Sequence, residues 1–368
     1  MQKTSAIADR HFLILLAVLL VFGLVVLASA SAPLGFAKFN DTFFFLKRQV
    51  LFGLLPGIVL FLILARFDYR RLVSWGPMIY LGALGLLAFV FFPGIGLVIN
   101  GSRSWLGLLG YNFQPSELAK LAVIIMGAYL ITTRKRDWND WQTSLVPVLA
   151  TLSPAALLVM LQPDVGTLSI LVMIIFVILY IAKIPSRFLL IMGLAGVIVF
   201  GTLVIAAPYR LRRLTTFLHP ELDPQGVGYQ INQAFLAVGS GGIWGLGFGQ
   251  SRQKYQYLPE VNADSIFAVV GEELGFIVSA GIIILILMLG WRGFKIAAAA
   301  PDDAGKLLVC GIMAWFLWQS FLNIGAIVGA LPLTGVPLPF VSHGGSALLM
   351  MLGAMGVVAN VSKFARLN

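Results

Sequence analysis

The stretch Gly249–Phe276, GQSRQKYQYLPEVNADSIFAVVGEELGF, decides how the whole chain is interpreted. It begins with polar and aromatic residues, turns at Pro259 and continues into an apolar helix. Four acids lie around the start of this helix: Glu260, Asp264, Glu272 and Glu273. A carboxylate at the centre of a bilayer helix costs about 2.5–3.5 kcal/mol, so such residues usually have a partner or a function. The stretch therefore predicts a membrane helix with a functional site near one end.

The composition indicates a polytopic membrane protein. Of the 368 residues, 59% are hydrophobic and 11% are charged, with a mean hydropathy of +0.95, whereas soluble domains carry about 25% charged residues. The net charge of +10 comes from short loops between apolar runs, which favours membrane orientation and anionic lipid over nucleic acid. The single cysteine, Cys310, cannot form an intrachain disulfide.

The hydrophobic runs predict an all-α fold of about ten transmembrane helices in one domain, residues 1–368. Each run approaches the roughly 20 residues that span a bilayer. The first is interpreted as a retained helix and not as a cleaved signal peptide, because it is long enough to span. The predicted helices are 12–32, 45–66, 75–95, 116–132, 145–161, 166–184, 187–206, 266–290, 306–330 and 343–362.

The distribution of basic residues predicts that both termini are cytoplasmic. With that orientation the inner segments hold fifteen lysines and arginines, whereas the short outer loops hold four. Short loops rich in Lys and Arg remain on the cytoplasmic side. The acids near Asp264 and the long loop 207–265, between helices 7 and 8, are then on the outer face. Loops of this length are commonly functional.

Residues 100–120 place further polar groups on the predicted outer side, in NGSRSW and FQPSELAK. Pro115 and Glu117 suit the first turn of a helix, so capping explains Glu117 as well as a functional role does. Lys120 lies one turn into the helix, where snorkelling is the alternative to a substrate contact. The guanidinium of Arg103 suits a diphosphate, and we favour a functional role for both basic residues.

Two more motifs admit both a functional and a structural interpretation. Asp164 in LQPDVGT can cap the sixth helix or take part in catalysis. Ser342, Gly344, Gly345 and Ser346 enter the tenth helix, where exposed N–H groups suit an anion, although close helix packing also explains the glycines.

Asp264 can cap the eighth helix, and capping does not exclude catalysis. Glu272 and Glu273 lie deeper, and we expect one of them to pair with a basic residue such as Lys120. Together these groups predict an outward-open polar cavity for an amphiphilic substrate with a phosphate head. The residues alone leave both an enzyme and a transporter of that substrate open.

The motifs resemble the SEDS family (shape, elongation, division, sporulation), the peptidoglycan glycan-strand polymerases typified by FtsW and RodA. The similarity covers nearly the whole chain, and GQSRQKYQYLPE is closer to the division branch (FtsW) than to the elongation branch (RodA). The chain departs from the family at Asn262-Ala263-Asp264-Ser265, where a His-Thr-Asp-Phe-like run is usual, and at His343, where a tyrosine is usual. The matching motifs are NGSRSW, FQPSELAKL, LQPDVGT, DPQGVGYQ, GSGGIWGLGFGQSRQKYQYLPE, IFAVVGEELGF and LPFVSHGGS.

The resemblance implies an inverting glycosyltransferase that joins lipid II disaccharides outside the bacterial plasma membrane, at the division septum, and releases undecaprenyl diphosphate. It makes Asp264 the catalytic base, and Asp264 with Glu260 the ligands of a divalent cation, Mg²⁺ or Mn²⁺. The expected partners are a class B penicillin-binding protein transpeptidase and other membrane proteins of the division complex. The expected substrate contacts are Arg103, Lys120, Gln114, Glu117, Asp164, Lys254, Glu260, Ser342, Gly344, Gly345 and Ser346.

Three alternatives remain open from the sequence. A lipid II flippase would use the same cavity, would form no glycosidic bond and would tolerate Asp264→Asn. A polymerase of the elongation (RodA) type would catalyse the same reaction in another complex. A scaffold without chemistry would not need the four outer acids.

Overall fold

A computed structural model describes residues 8–99, 101–108, 111–133, 137–138, 140–205, 214–220, 223 and 226–365. The predicted outer loop 207–265 is therefore described in part, and Asn100 of NGSRSW lies outside the described residues. The elements are α1 (Arg10–Phe39), α2 (Phe44–Gln49), a π-helical turn (Val50–Leu54), α3 (Leu55–Arg66), α4 (Tyr69–Ser74), α5 (Gly76–Phe89), β1 (Gly96–Ile99), β2 (Ser102–Leu108), β3 (Tyr111–Phe113), α6 (Pro115–Thr132), α7 (Leu145–Leu161), α8 (Val165–Ile181), α9 (Ser186–Ile205), α10 (Val227–Gly241), α11 (Ile266–Ala298), α12 (Asp303–Ile327) and α13 (Gly345–Ser362).

The helical membrane architecture is confirmed. Each of the ten predicted segments coincides with helix in the structure. Six helical segments of the described chain are long and apolar enough to cross a membrane, among them the continuous segment Phe44–Arg66, and four shorter apolar helices account for the other predicted segments. The number of crossings and their direction remain predictions.

Three helices form the centre of the bundle. In α6, α12 and α13, 72%, 78% and 83% of the apolar window is buried, compared with 22% for the segment Phe44–Arg66. A polar side chain on one of these central helices therefore faces other protein groups instead of lipid. Since a polar group away from water needs a hydrogen-bond partner, these side chains are the natural places to look for a site.

The second membrane segment contains a π-helical turn, Val50–Leu54. Pro56 follows at the start of α3, and a proline has no N–H with which to continue the α-helical hydrogen bonds. Two glycines of this segment lie against α13: a Cβ on Gly53 would meet Gly345, and one on Gly57 would meet Leu352. The absence of side chains thus allows the segment to approach α13 closely.

A small antiparallel sheet with the order β1-β2-β3 precedes α6. The sequence analysis predicted no regular element between the helices 75–95 and 116–132, so the sheet corrects it. Arg103 lies on β2 opposite Val98 of β1. Three short strands carry too weak a period-2 pattern to be distinguished from a loop.

Helix α11 is broken at Gly275, which has φ 72° and ψ −173°. The eighth predicted helix was drawn as continuous, and this break is a correction. The residues 242–247 are inserted at the break and satisfy its open backbone groups, as expected for a discontinuous membrane helix. The bonds run from Leu246 N to Glu272 O, Gly247 N to Glu273 O, Phe276 N to Gly242 O and Ile277 N to Ile243 O, at 2.9, 3.0, 2.9 and 3.3 Å. The segment before the break starts two residues after Asp264.

Candidate functional site

Asp264 is held by two amide side chains from other helices. Its main-chain oxygen accepts a hydrogen bond from Asn323 Nδ2 at 2.8 Å, and its Oδ1 accepts one from Gln230 Nε2 at 3.3 Å. The cap residue of α11 is Ser265, and no side-chain capping bond occurs at this end. The capping interpretation of Asp264 is therefore wrong, because its carboxylate bonds to a side chain of α10 and leaves the helix N–H groups alone.

Two effects disfavour the ionised form of Asp264. Burial, together with the negative charge of Glu260, raises the pKa of Asp264 to about 7. Glu260 lies on the same turn, in the left-handed region at φ 49°, and its carbonyl accepts hydrogen bonds from the N–H groups of Ala263 and Ser265. A carboxyl group that titrates near neutral pH is suited to take up a proton during a reaction.

The amides of α12 connect Asp264 to the interior of the bundle. Asn323 also donates to the carbonyl of Val336 at 2.8 Å, and Gln319, one turn earlier, donates to the carbonyl of Pro337 at 2.9 Å. The Oε1 of Gln319 accepts from Lys120 Nζ at 3.0 Å. The structure thus places Lys120 about one helical turn further in than Asp264, along the same face of α12.

Lys120 is fully buried and pairs with Glu117, three residues earlier on α6, at 2.8 Å. Its ammonium also lies 4.8 Å from the ring centroid of Trp315. One of the acids Glu272 and Glu273 does pair with a basic residue, as predicted, but the partner is not Lys120. The snorkelling alternative for Lys120 is wrong, because its ammonium faces the protein interior. Residues three apart on a helix are neighbours, which made Glu117 the partner in reach. The second carboxylate oxygen of Glu117, Oε2, is buried without a hydrogen-bond partner.

Glu273 instead forms a buried ion pair with Lys254, at 2.7 Å. The ammonium of Lys254 also donates to the carbonyl of Gly249 at 2.7 Å and to Ser29 Oγ at 3.1 Å. The three donors of a lysine are then all used. These contacts give Lys254 a structural role, and its substrate contact stays a prediction.

The two glutamates of α11 fasten the loop before Asp264 to the helix bundle. Glu273 accepts from Ser29 Oγ of α1 at 2.7 Å and from the N–H of Gly249 at 3.0 Å. Glu272 accepts from the Ser251 hydroxyl and from the N–H of Arg252 at 2.9 Å. Backbone N–H donors stabilise an ionised carboxylate, so these acids act as anchors for residues 249–254.

Asp164 caps α8, as one of its two interpretations predicted. Its side chain accepts from the N–H of Thr167 at 3.0 Å, and Gln114 Nε2 donates to it at 3.3 Å. Gly166, two residues on, packs against Thr334 and Val336. The start of α8 therefore borders the same loop that Asn323 and Gln319 hold, although the structure shows no direct contact of Asp164 with Asp264.

The loop Gly335–Gly344 forms one wall of the site. The N–H of Gly344, predicted to be available to an anion, donates to Gln49 Oε1 at 3.0 Å, and Ser342 Oγ accepts from the N–H of Leu338 at 2.9 Å. Gly344 and Ser342 thus make contacts within the protein, and their anion contacts stay predictions. Gly345 packs closely against Gly53, the structural alternative. Ser346 Oγ is buried without a partner, so its predicted role stays a prediction.

Arg103 projects from β2 and is half-buried. Across the described part of the chain its guanidinium makes no hydrogen bond or ion pair. Its five donors are thus not used by the described groups, and its role toward a diphosphate stays a prediction.

Sequence analysis missed the amides that build the site: Gln49, Gln230, Gln319 and Asn323. Three of them are buried at 1 or 2% exposure, and each bonds to groups from a different element. The available signal was a neutral polar residue inside an otherwise apolar helix, which needs a partner in the bundle. The sequence analysis concentrated on charged residues and did not single out these neutral amides.

Asn262 and His343, at two positions where the chain departs from the family, are hydrogen-bonded to each other. The N–H of His343 donates to the carbonyl of Asn262 at 2.8 Å. The imidazole packs edge-on against Phe45, with ring centroids 5.3 Å apart. Burial and the nearby charge of Arg48 lower the pKa of His343 to about 4, so the imidazole is neutral at physiological pH.

Residues 9–367 match the model of a family described as cell cycle protein, which groups FtsW, RodA and SpoVE. Stage V sporulation protein E of Bacillus subtilis (strain 168) is 42% identical over 365 residues, 99% of either chain. The probable peptidoglycan glycosyltransferase FtsW of Geobacter sulfurreducens is 38% identical over 96% of this chain and 95% of that protein.

Two solved structures share the fold. One comes from a study of how a peptidoglycan synthase complex coordinates polymerization and crosslinking. It has a TM-score of 0.79 and 29% identity, and the match covers 96% of this chain and 97% of the other. The rod shape determining protein RodA of Thermus thermophilus gives 0.72 and 28%, over 98% of both chains.

Proposed function

The chain belongs to the SEDS family of cell cycle proteins, and on that premise we propose that it polymerises peptidoglycan glycan strands from lipid II. The observation that carries the proposal is Asp264, a carboxyl group with a pKa of about 7 that is held by the amide side chains of Gln230 and Asn323. Relatives named as peptidoglycan glycosyltransferases support the same activity.

In the proposed reaction the C4 hydroxyl of an acceptor GlcNAc attacks the anomeric carbon of a donor MurNAc. The new C–O bond forms as the bond to the diphosphate breaks, so the anomeric centre inverts. Asp264 takes the hydroxyl proton as the bond forms, since a carboxylate is too weak a base to ionise an alcohol beforehand. The electron pair leaves with undecaprenyl diphosphate.

The departing diphosphate needs positive charge. Arg103 is the direct contact we propose, because its guanidinium matches phosphate oxygens and is not engaged by the described residues. Lys120 is fully buried and bound to Glu117 and Gln319. It acts by its charge beneath the site, or by exchanging Glu117 for a phosphate oxygen when substrate enters.

Glu260 and Asp264 can bind a divalent cation only if the substrate supplies further ligands. Among the described residues no group of three or more His, Cys, Asp or Glu could hold a metal. Glu260 and Asp264 lie near each other, and Mg²⁺ commonly binds through one or two carboxylates together with water and phosphate oxygens. When bound, the cation would neutralise the leaving diphosphate.

Glu260→Gln is expected to weaken Mn²⁺ binding by about tenfold or more, because loss of even an outer-shell partner of a metal ligand has an effect of that size. Electron paramagnetic resonance of Mn²⁺ in the presence of a lipid diphosphate measures this without relying on turnover. Asp303→Asn, at the opposite end of the bundle, is the control. Unchanged Mn²⁺ affinity in both Glu260→Gln and Asp264→Asn would remove the cation from the proposal.

We propose that the site faces outward and that both termini are cytoplasmic. In a variant with Cys310 replaced by serine, Trp244→Cys is expected to react with an impermeant maleimide in intact spheroplasts. Asp303→Cys should react only after permeabilisation. Both positions are exposed, so the reverse labelling pattern would contradict the orientation.

The cellular role we propose is septal wall synthesis with a class B penicillin-binding protein. FtsW-named relatives are 38% identical to the chain, whereas the RodA structure is 28% identical, which favours the division branch over the elongation branch. The 42% identity to a sporulation protein is compatible with a septal site of action. The structural neighbour from a peptidoglycan synthase complex supports a transpeptidase partner.

The experiment that tests the function uses the purified protein, alone and with its cognate transpeptidase, on labelled lipid II with Mg²⁺ or Mn²⁺. Glycan strands on a gel are the expected result. If no strands form under any condition while lipid II scrambles between leaflets of liposomes, the chain is a transporter and the proposal fails.

A further inference from the structure

We propose that Gln49 is a positioning residue for Asp264, acting through the backbone of His343. This inference rests on the proposed polymerase function and deepens it. Gln49 lies at the end of α2, at 1% exposure, directly before the π-helical turn Val50–Leu54. Turns of this kind occur frequently at functional sites.

The side-chain amide of Gln49 holds both sides of His343. Its Nε2 donates to the carbonyl of Ser342 at 3.2 Å, and its Oε1 accepts from the N–H of Gly344 at 3.0 Å. The His343 N–H between these contacts donates to the carbonyl of Asn262 at 2.8 Å. Asn262 is two residues before Asp264. Three hydrogen bonds therefore lead from α2 to the turn that carries the carboxylate.

The loop needs this anchor because its conformation is not self-supporting. Phe340 has φ 66°, a left-handed value that is unfavourable for a non-glycine residue and persists only when the surroundings impose it. The other end of the loop is held by Gln319 and Asn323 of α12. Gln49 anchors the end of the loop that lies nearest to α13.

Close packing of this segment against α13 places the Gln49 amide within hydrogen-bonding distance of Ser342 and Gly344. Gly53 and Gly57 follow Gln49 at intervals of four residues and allow the backbone of this segment to lie against α13. The amide is neutral and both of its hydrogen-bonding groups are satisfied. Gln49 therefore contributes geometry to the site and no charge, which separates it from Asp264 and Lys120.

Gln49→Met keeps the shape and removes both hydrogen bonds. Since a displacement of about 1 Å can cost about 10²-fold in rate, we expect kcat for lipid II polymerisation to fall about tenfold or more. KM should change less than twofold, because no substrate contact is lost. Gln49→Glu keeps the bond from Gly344 N–H but sets an acceptor against the carbonyl of Ser342, so its kcat should also fall.

Asn360→Leu is the matched control. Asn360 lies near the other end of α13, is equally buried, and also bridges two backbone groups: it accepts from Tyr69 N at 3.1 Å and donates to the carbonyl of Ala65 at 2.9 Å. It should lower Tm comparably while kcat stays within twofold. All variants are assayed in complex with the transpeptidase, with Tm measured on the same samples.

A kcat for Gln49→Met no lower than that of Asn360→Leu, at a similar loss of Tm, would overturn the inference. If Gln49→Met does not fold, Gln49→Glu is compared with Asn360→Asp, which likewise exchanges a donor for an acceptor. A kcat at least threefold below that control supports the role, and an equal kcat overturns it. A wild-type protein that forms no strands refutes the polymerase function instead, so the two failures are distinguishable.

Discussion

Asp264→Asn is expected to lower the rate of lipid II polymerisation by about 10²–10⁴-fold, the usual contribution of a positioned general base. The amide retains an oxygen for Gln230 Nε2, and the main-chain bond to Asn323 is unaffected. Geometry should thus be preserved while the ability to accept a proton is lost. The measurement is strand formation by wild type and variant in complex with the transpeptidase.

The stability of the same variant separates a chemical role from a structural one. Burial and the charge of Glu260 raise the pKa of Asp264 from 3.8 to about 7. Between these two pH values the folded state keeps a proton that the unfolded chain has released, and this difference costs folding free energy. That cost grows as pH rises and is complete above about pH 7. The neutral asparagine does not carry it, and Tm at pH 7.5 should be equal or higher.

Asp302→Asn, at the opposite end of the bundle, is the control for activity. A variant at Asp264 that keeps more than a tenth of the wild-type rate would contradict the assignment of the base. Glu260 would then be the next carboxylate to replace.

Lys254→Met is expected to destabilise the folded protein by about 3–5 kcal/mol, the cost of leaving one member of a buried ion pair alone. Lys254 and Glu273 are each 4% exposed, with 2.7 Å between nitrogen and oxygen. The loss should appear as a Tm lower by several degrees in detergent, with release of the loop 249–254. Tryptophan fluorescence on heating measures it.

A double variant, Lys254→Met with Glu273→Gln, should recover part of the lost stability because no buried charge is left unpaired. Lys47→Met is the surface control. The Lys47–Asp41 pair is 62% and 34% exposed, and exposed pairs contribute about 0–1 kcal/mol. If Lys254→Met instead left Tm unchanged and raised KM, Lys254 would contact the substrate, as the sequence first suggested.

The choice of partner for each buried charge was the part of the site that sequence analysis could not predict. Lys120 was named as a possible partner of Glu272 or Glu273, and both Lys120 and Lys254 were expected to contact the substrate. The structure pairs Lys120 with Glu117 on its own helix and Lys254 with Glu273. Hydropathy places a charge in an apolar run without determining which way the side chain points or which helix lies opposite.

The break in α11 was hidden for a related reason. Gly275 is one glycine in an apolar run, and such a residue is tolerated within a continuous helix. Only the insertion of residues 242–247, whose N–H and C=O groups bond at the break, makes the left-handed conformation at Gly275 stable. The cause lies 30 residues away along the chain, outside any local pattern.

The sequence by itself determined the membrane architecture, the approximate bounds of the helices and the position of Asp264 at the start of one of them. These properties depend on local transfer of apolar residues from water, which a run of residues specifies directly. Tertiary structure alone decided what surrounds the carboxylate: Gln230 and Asn323 in direct contact, and Gln49 through a loop 295 residues distant in sequence. Neutral amides leave little trace in hydropathy or charge, and their bonds exist only after the helices have packed.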